Sequence, residues 1–258
     1  MQTLATVHLV RHGEVHNPDR VLYGRLPEFG LSELGHEMAR GVAAWFEERA
    51  AQTGRAPAVV AASPLTRAQQ TAAPLAAAFD LPLVTEPDLI EAENAFEGMS
   101  QVAASLKRNP RLWPRLRNPL RPSWGEPYRA QAARMLAVVD RLRGEAVAAE
   151  GPGAESVLVS HQLPIWVTRL AVEGRPLWHD PRRRECSLTS VTSLVYEEGR
   201  RVPRVEYHEP NQALLKDASS LPGALGPPDC DRRRRRRPRP PTGWGCDVQG
   251  SVRMRGGQ

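Results

Sequence analysis

Apolar and polar positions follow two different periods along this chain, and the switches between them mark out its elements. Residues 3–10, TLATVHLV, are apolar and β-branched, which favours a strand, and the polar run RHGEVHNPDRVLYGRLPEFG behind it reads as a long loop. In LSELGHEMARGVAAWFEERA the residues Met38, Val42, Trp45 and Phe46 recur at helical spacing behind Ser32, a good N-cap, so a helix is expected there. APAVVAAS predicts a second strand, and SPLTRAQQTAAPLAAAF a second helix with Ser63 as N-cap and Pro64 in its first position. LPLV is a short third strand, and SVLVSHQLPIWVTRLAV repeats strand then helix over residues 156–172. LTSVTSLVYEE and RVPRVEYHE close the series as a hairpin at the sheet edge. Alternating strands and helices predict an α/β fold, a three-layer α/β/α sandwich around a mostly parallel sheet, without internal repeats.

The pattern breaks between Met99 and Arg129. Residues 107–129 hold Lys107, Arg108, Arg111, Arg115, Arg117, Arg121 and Arg129 against the single acid Glu126, with Pro110, Pro114, Pro119 and Pro122 among them. This is an irregular basic insertion, either a lid over an anionic site or a solvated loop; as a lid it implies a substrate with more than one anionic group. Glu126 either partners a residue of the pocket or opens the next helix, where an acid suits the positive end of the dipole; the second reading is preferred.

Length and composition fit this organisation. A chain of 258 residues with 41% hydrophobic content can bury one good core, with an inserted segment. No apolar run approaches the roughly 18–20 residues needed to span a bilayer. The start MQTLATVHLV also lacks the marks of a secretion signal, so a cytoplasmic protein without a membrane partner is expected. Cys186, Cys230 and Cys246 are too few and too scattered for a disulfide framework or a metal knuckle. No motif sets an oligomeric state.

The net charge of +6 suggests a nucleic-acid partner until it is divided along the chain. From Lys216 onward there are 10 Lys+Arg and 4 Asp+Glu, a net of +6, which leaves residues 1–215 with 25 of each. The expected division is therefore a neutral folded domain over 1–215 and a disordered tail over 216–258, rich in Arg, Pro and Gly and without apolar periodicity. The block Arg232 to Arg237 can hold nucleic acid or an acidic partner by counterion release, although a solvated extension is the preferred reading.

The candidate chemistry sits where strands end. In open α/β sheets ligands bind beyond the carboxyl ends of the strands, beside helix N-termini whose free N–H groups favour anions. The first strand ends in Arg11 and His12, the second in SPLTR with Arg67 in the first helical turn, and a later one in Ser160 and His161. Any one of these residues has an ordinary structural reading, but three junctions of one kind point to a phosphate monoester, whose oxygens match guanidinium forks.

LVRHGE, SPLTRAQQTA and VLVSHQ, in this order and on these elements, resemble the histidine phosphatase superfamily in its phosphoglycerate mutase-like branch. The likeness runs from about residue 4 to residue 210; LSELGHEMA matches the family's helix after the first loop, and DLIEAENAFEG falls where its acid-bearing segment lies. The resemblance implies a small phosphate ester as substrate and a phosphohistidine intermediate on His12, whose other ring nitrogen donates to a nearby carbonyl. Arg11, Arg67 and His161 would hold the phosphoryl oxygens, with no metal and no cofactor needed. Asn17 would add a neutral hydrogen bond, although it stands one residue closer to the histidine than in the mutases. Glu91 matches the family's general acid. Glu93 competes, because Ala95 replaces an expected glycine and Glu97-Gly98 comes one residue early; the register of Asp88-Leu89 favours Glu91.

Three rival readings are weaker. His8, His12 and His16 recur every four residues as metal ligands on a helix would, but His8 lies in a strand and HGEVH is not the HExxH order. A cofactor-dependent phosphoglycerate-type mutase on the same site is disfavoured, because the first loop and the acid segment lack the mutases' Trp-Asn and Arg-His-Tyr-Gly. A binding protein that works through its basic tail would not need an intact set of Arg11, His12, Arg67, Glu91 and His161.

Overall fold

The computed structural model describes residues 2–100, 109–110, 113–114 and 125–218. All of them fall within the first of the chain's two contact units, Met1–Pro228. Strands β1 (Thr3–Arg11), β2 (Pro57–Ala62), β3 (Leu83–Thr85), β4 (Ala154–Ser160), β5 (Val191–Glu197) and β6 (Arg204–His208) form one sheet of order β3-β2-β4-β1-β5-β6. The first four strands in that order run parallel, and β5 pairs antiparallel with both β1 and β6, which makes the expected edge hairpin.

Alternation along the strands explains the three layers. Val10, Val60, Ala62, Val157 and Val159 pack with Val42 and Phe46 of helix α1 (Glu33–Thr53) and Ala68, Ala72 and Leu75 of helix α2 (Thr66–Ala78). Their neighbours Val7, Leu9, Ala61 and Leu158 face the other way. They meet Met135, Val138, Val139 and Leu142 of helix α3 (Tyr128–Glu150) and Ile165 of helix α4 (Gln162–Val172). The inner parallel strands β2, β4 and β1 are thus covered on both faces, which is why β1 and β4 read as nearly continuous apolar runs, while β3 at the edge stays largely exposed.

Helix α1 starts as expected, with the Ser32 hydroxyl accepting from Gly35 N at 3.0 Å. Helix α2 does not. It begins at Thr66, behind an extended Leu65 that offers no side-chain cap, so neither Ser63 nor Pro64 stands where the sequence placed it. The Ser63 hydroxyl is taken by His161 instead, at 2.8 Å. Arg129 likewise belongs to the first turn of α3 and is exposed, not part of the insertion. The other basic residues of that insertion, Lys107, Arg108, Arg111, Arg115, Arg117 and Arg121, lie outside the described residues, as does the chain from 219 onward with its arginine block. Among the described residues no helix is long and apolar enough to cross a membrane.

Candidate active site

Strand register brings the polar junctions together. Arg11 pairs with Ser160 across β1 and β4, and Ala62 pairs with Val159 across β2 and β4. His12, His161 and Ser63 each follow their strand by one residue, and His12 N donates to Ser160 O at 3.1 Å while Ser63 N donates to Val159 O at 3.0 Å. The chain leaves β1 towards β2 on one side and leaves β4 towards β5 on the other. His12 and His161 therefore sit at the point where the topology switches direction, the usual ligand position of such sheets.

His12 is buried, and its Nδ1 donates to Gly13 O at 2.8 Å, which leaves Nε2 without a proton in the neutral ring. Burial, then the charges of Arg67 and Arg11, hold the imidazole well below its ordinary pKa. The glycine that follows has a steric reason. A Cβ on Gly13 would stand 2.7 Å from Gly35 O, and one on Gly35 would stand 2.0 Å from Glu14 O, so the loop and the start of α1 touch backbone to backbone only because both residues are glycine.

The His161 ring lies 5.1 Å from that of His12, centroid to centroid. Its Nε2 lies 2.8 Å from Ser63 Oγ; the serine proton has no other acceptor among the described residues, so it is assigned to Nε2, which puts the ring proton on Nδ1. Burial, then Arg67, keeps this histidine neutral as well. Arg67 is fully buried, with Nη1 and Nη2 donating to Leu26 O and Gly24 O, and its guanidinium lies 4.7 Å over the Tyr23 ring. Two buried donors here, His161 Nδ1 and Arg67 Nε, bond to nothing among the described residues. Arg11 is buried too, and its Nη1 donates to Cys186 O at 2.7 Å.

The two candidate acids separate cleanly. Glu91 is half-buried, and burial pushes its carboxyl above the ordinary carboxylate range against the pull of Arg67, Arg184 and Arg11. Glu93 is exposed and pairs with Arg25 at 2.9 Å. Neighbouring groups fix the acid segment by its backbone: Arg134 holds Asp88 O, Ser160 Oγ holds Leu89 O at 2.7 Å, and Arg25 Nε holds Glu91 O at 2.7 Å. Glu126 links the two arginines, accepting from Arg134 at 2.8 and 2.9 Å and from Arg25 at 3.2 Å. It precedes α3 as the sequence reading preferred, but its carboxylate is spent on these arginines and not on the helix end.

Asn17 is buried, and its side-chain amide closes a turn, donating to Val21 O at 2.7 Å and accepting from Val21 N at 3.0 Å. The three histidines of the metal reading are dispersed. His8 bonds to Ser193 Oγ and Glu155 inside the sheet, and His16 is exposed. Among the described residues no group of three His, Cys, Asp or Glu is placed to hold a metal. Tyr23, under the Arg67 guanidinium, and Arg184, whose Nη1 lies 3.4 Å from Oε1 of the Gln162 that follows His161, border the site and were missed from the sequence. Tyr23 lies in an irregular loop, and Arg184 is one of three successive arginines whose companions are exposed, so neither carried a local signal.

Comparison with known proteins agrees with this geometry. Residues 7–207 match the histidine phosphatase superfamily (branch 1). An uncharacterised protein of Mycobacterium tuberculosis, Rv0525, is 53% identical over 205 residues, which cover 79% of this chain and 96% of that protein. Among solved structures, mycobacterial hydrolase 1 superposes with a TM-score of 0.62 at 24% identity, covering 78% of this chain and 96% of the other. The mycobacterial glucosyl-3-phosphoglycerate phosphatase Rv2419c in complex with VO3 gives 0.62 at 22% identity, covering 79% and 97%. With His12, Arg67 and His161 gathered at the switch point of the sheet, the chain belongs to the histidine phosphatase superfamily, branch 1, as a hydrolase of phosphate esters.

Proposed function

We propose that the protein hydrolyses a small phosphate monoester through a phosphohistidine on His12, without a metal ion. The observation that carries this reading is the pair of unpartnered buried donors, His161 Nδ1 and Arg67 Nε, beside a neutral His12 whose Nε2 is unprotonated. Leaving such donors unmet costs about 1–3 kcal/mol each, and a phosphoryl group bound at this point would meet both. The Rv2419c phosphatase of similar fold has been solved with inorganic phosphate and with VO3.

In the first step Nε2 of His12 attacks phosphorus, a P–N bond forms and the P–O ester bond breaks. Glu91, whose burial raises its pKa and so favours the protonated form, gives its proton to the departing alkoxide. Arg11, Arg67 and His161 bind the equatorial oxygens and supply the charge stabilisation that a metal ion supplies in other phosphoryl-transfer sites. In the second step the Glu91 carboxylate takes a proton from water, the resulting hydroxide attacks phosphorus, and the P–N bond breaks to release inorganic phosphate. Asn17 acts mainly on the loop that shapes this pocket, with its second N–H left for a phosphoryl oxygen. The Arg/Pro/Gly-rich tail beyond the domain takes no part in these steps.

The test is phosphate release from a panel of phosphomonoesters in EDTA, with acid-quench trapping of labelled enzyme. The wild type is expected to turn over and to yield an acid-labile phosphoenzyme, and His12→Ala to lose both by at least about a thousandfold. Undiminished release by His12→Ala, or activity abolished by EDTA, overturns the mechanism. Transfer between substrate oxygens without phosphate release identifies a mutase instead.

A further inference from the structure

Arg11 and Arg67 of the phosphate site aside, the arginines that are shielded from water in the described part of this chain are mostly paired with acids. Arg25 and Arg134 pair with Glu126, Arg49 with Glu155, and Arg169 with Glu173 and Glu185. Arg184 differs. It is half-buried and forms no ion pair among the described residues, whereas Arg182 beside it is exposed and bonded to Asp180. Its Nε donates to His179 Nε2 at 2.8 Å, and its Nη1 lies 3.4 Å from Gln162 Oε1.

Both partners are uncharged. His179 Nδ1 donates to Leu177 O at 2.8 Å, so its Nε2 can only accept, and burial lowers its pKa further. The guanidinium is thus oriented by an imidazole and an amide that leave its charge uncompensated. A shielded cation to which no acid is bonded is costly, and an arriving anion would relieve that cost.

The position of that anion follows from the neighbours. Gln162 is the first residue of α4, directly after His161. Glu91, Tyr128 and Arg11 all act electrostatically on Arg184. Glu91 does not bond to it, and in the proposed reaction that acid is protonated when substrate binds. With Glu91 protonating the leaving oxygen in the proposed reaction, Arg184, bonded to the residue after His161, borders the alcohol side of the site, and its Nη2 bonds to no described residue.

Resting on the phosphatase reading above, we propose that Arg184, oriented by His179 and Gln162, determines specificity by binding a second oxyanion, a carboxylate or a further phosphate, on the alcohol portion of the substrate. Two matched pairs of probes separate the sources: 3-phosphoglycerate against glycerol 3-phosphate for the carboxylate, and glucose 1,6-bisphosphate against glucose 6-phosphate for the phosphate. The wild type should favour the charged member of one pair by about tenfold or more in kcat/KM. Arg184→Gln should lower that preference by about tenfold, chiefly through KM, and Arg184→Lys should keep part of it, since a point charge survives without the fork. Unchanged thermal midpoints show that both variants fold, and if Arg184→Gln does not, the lysine variant must still show a reduced preference. An unchanged preference in the variants, or none in the wild type, overturns the role of Arg184 while leaving the phosphatase reading intact. Absence of phosphate release from every probe, with no trapped phosphoenzyme, fails the phosphatase reading itself and takes this assignment with it.

Discussion

His161 shows how a single hydroxyl decides what a ring can do. Ser63 Oγ supplies the proton at Nε2 and so turns Nδ1 into a donor facing the place where phosphate would bind. Ser63→Ala removes that choice of tautomer without touching His12 or the guanidinium groups. It is expected to lower kcat/KM by about 5–100-fold, the cost of one unmet buried hydrogen bond, and to change the acid limb of the pH–rate profile. Loss of activity with an unaltered profile would mean that Ser63 acts only through packing. The residue names were legible early: Arg11, His12, Arg67 and His161 lie in short motifs at strand ends, where local sequence carries the information. The choice between Glu91 and Glu93 was not settled by motif alone. It follows from burial, because the two stand two positions apart on an irregular segment and only one turns inward.

The segment from Pro87 to Glu91 contains a single short 3-10 turn, Pro87–Leu89, yet its carbonyls are gripped by Arg134, Ser160 and Arg25. Glu126 joins the two arginines and so fixes the backbone that carries Glu91; it is a positioning residue. Glu126→Gln is expected to slow esters of poorly leaving alcohols by about tenfold or more while p-nitrophenyl phosphate, whose leaving group needs no proton, slows far less. Equal losses on both would show a general disturbance of the fold and not a displaced acid. Helices α1, α2 and α4 were readable from period, and α1 from its cap as well, whereas α3 was foreseen only as the helix that Glu126 could open. The start of α2 was misjudged because a serine before Pro-Leu-Thr has the local look of a cap, and only the approach of β4 gives that hydroxyl a better partner.

Burial of neutral histidines couples the stability of the whole domain to pH. His8, His12 and His161 all have lowered pKa values, with desolvation the leading cause. Below the unfolded value of about 6.5 the unfolded chain binds protons that the folded one refuses, so this stability is present above that pH and is lost as pH falls. Glu155 adds to the loss at lower pH. Burial alone would raise its pKa, but hydrogen bonds from His8 and Arg49 outweigh this and lower it. Glu91, with its raised pKa, works in the opposite direction and offsets part of the loss. Each refused proton is worth about 1.4 kcal/mol per pH unit, so the thermal midpoint at pH 5 should lie clearly below that at pH 7.5. Equal midpoints would mean that these rings are protonated in the folded state.

The amino-acid sequence by itself determined the layered α/β architecture and the four residues at the strand ends, because both depend on hydrophobic period and on motifs a few residues long. It also showed that residues 1–215 carry no net charge and that the excess of arginine lies after them, since charge is additive along the chain. Tertiary structure decided the rest. Whether Ser63 caps a helix or orients a histidine, which glutamate is shielded, and which of three successive arginines is shielded beside the site all depend on what lies across the sheet. Desolvation and hydrogen-bond partners come from residues distant in sequence, so no local pattern encodes them.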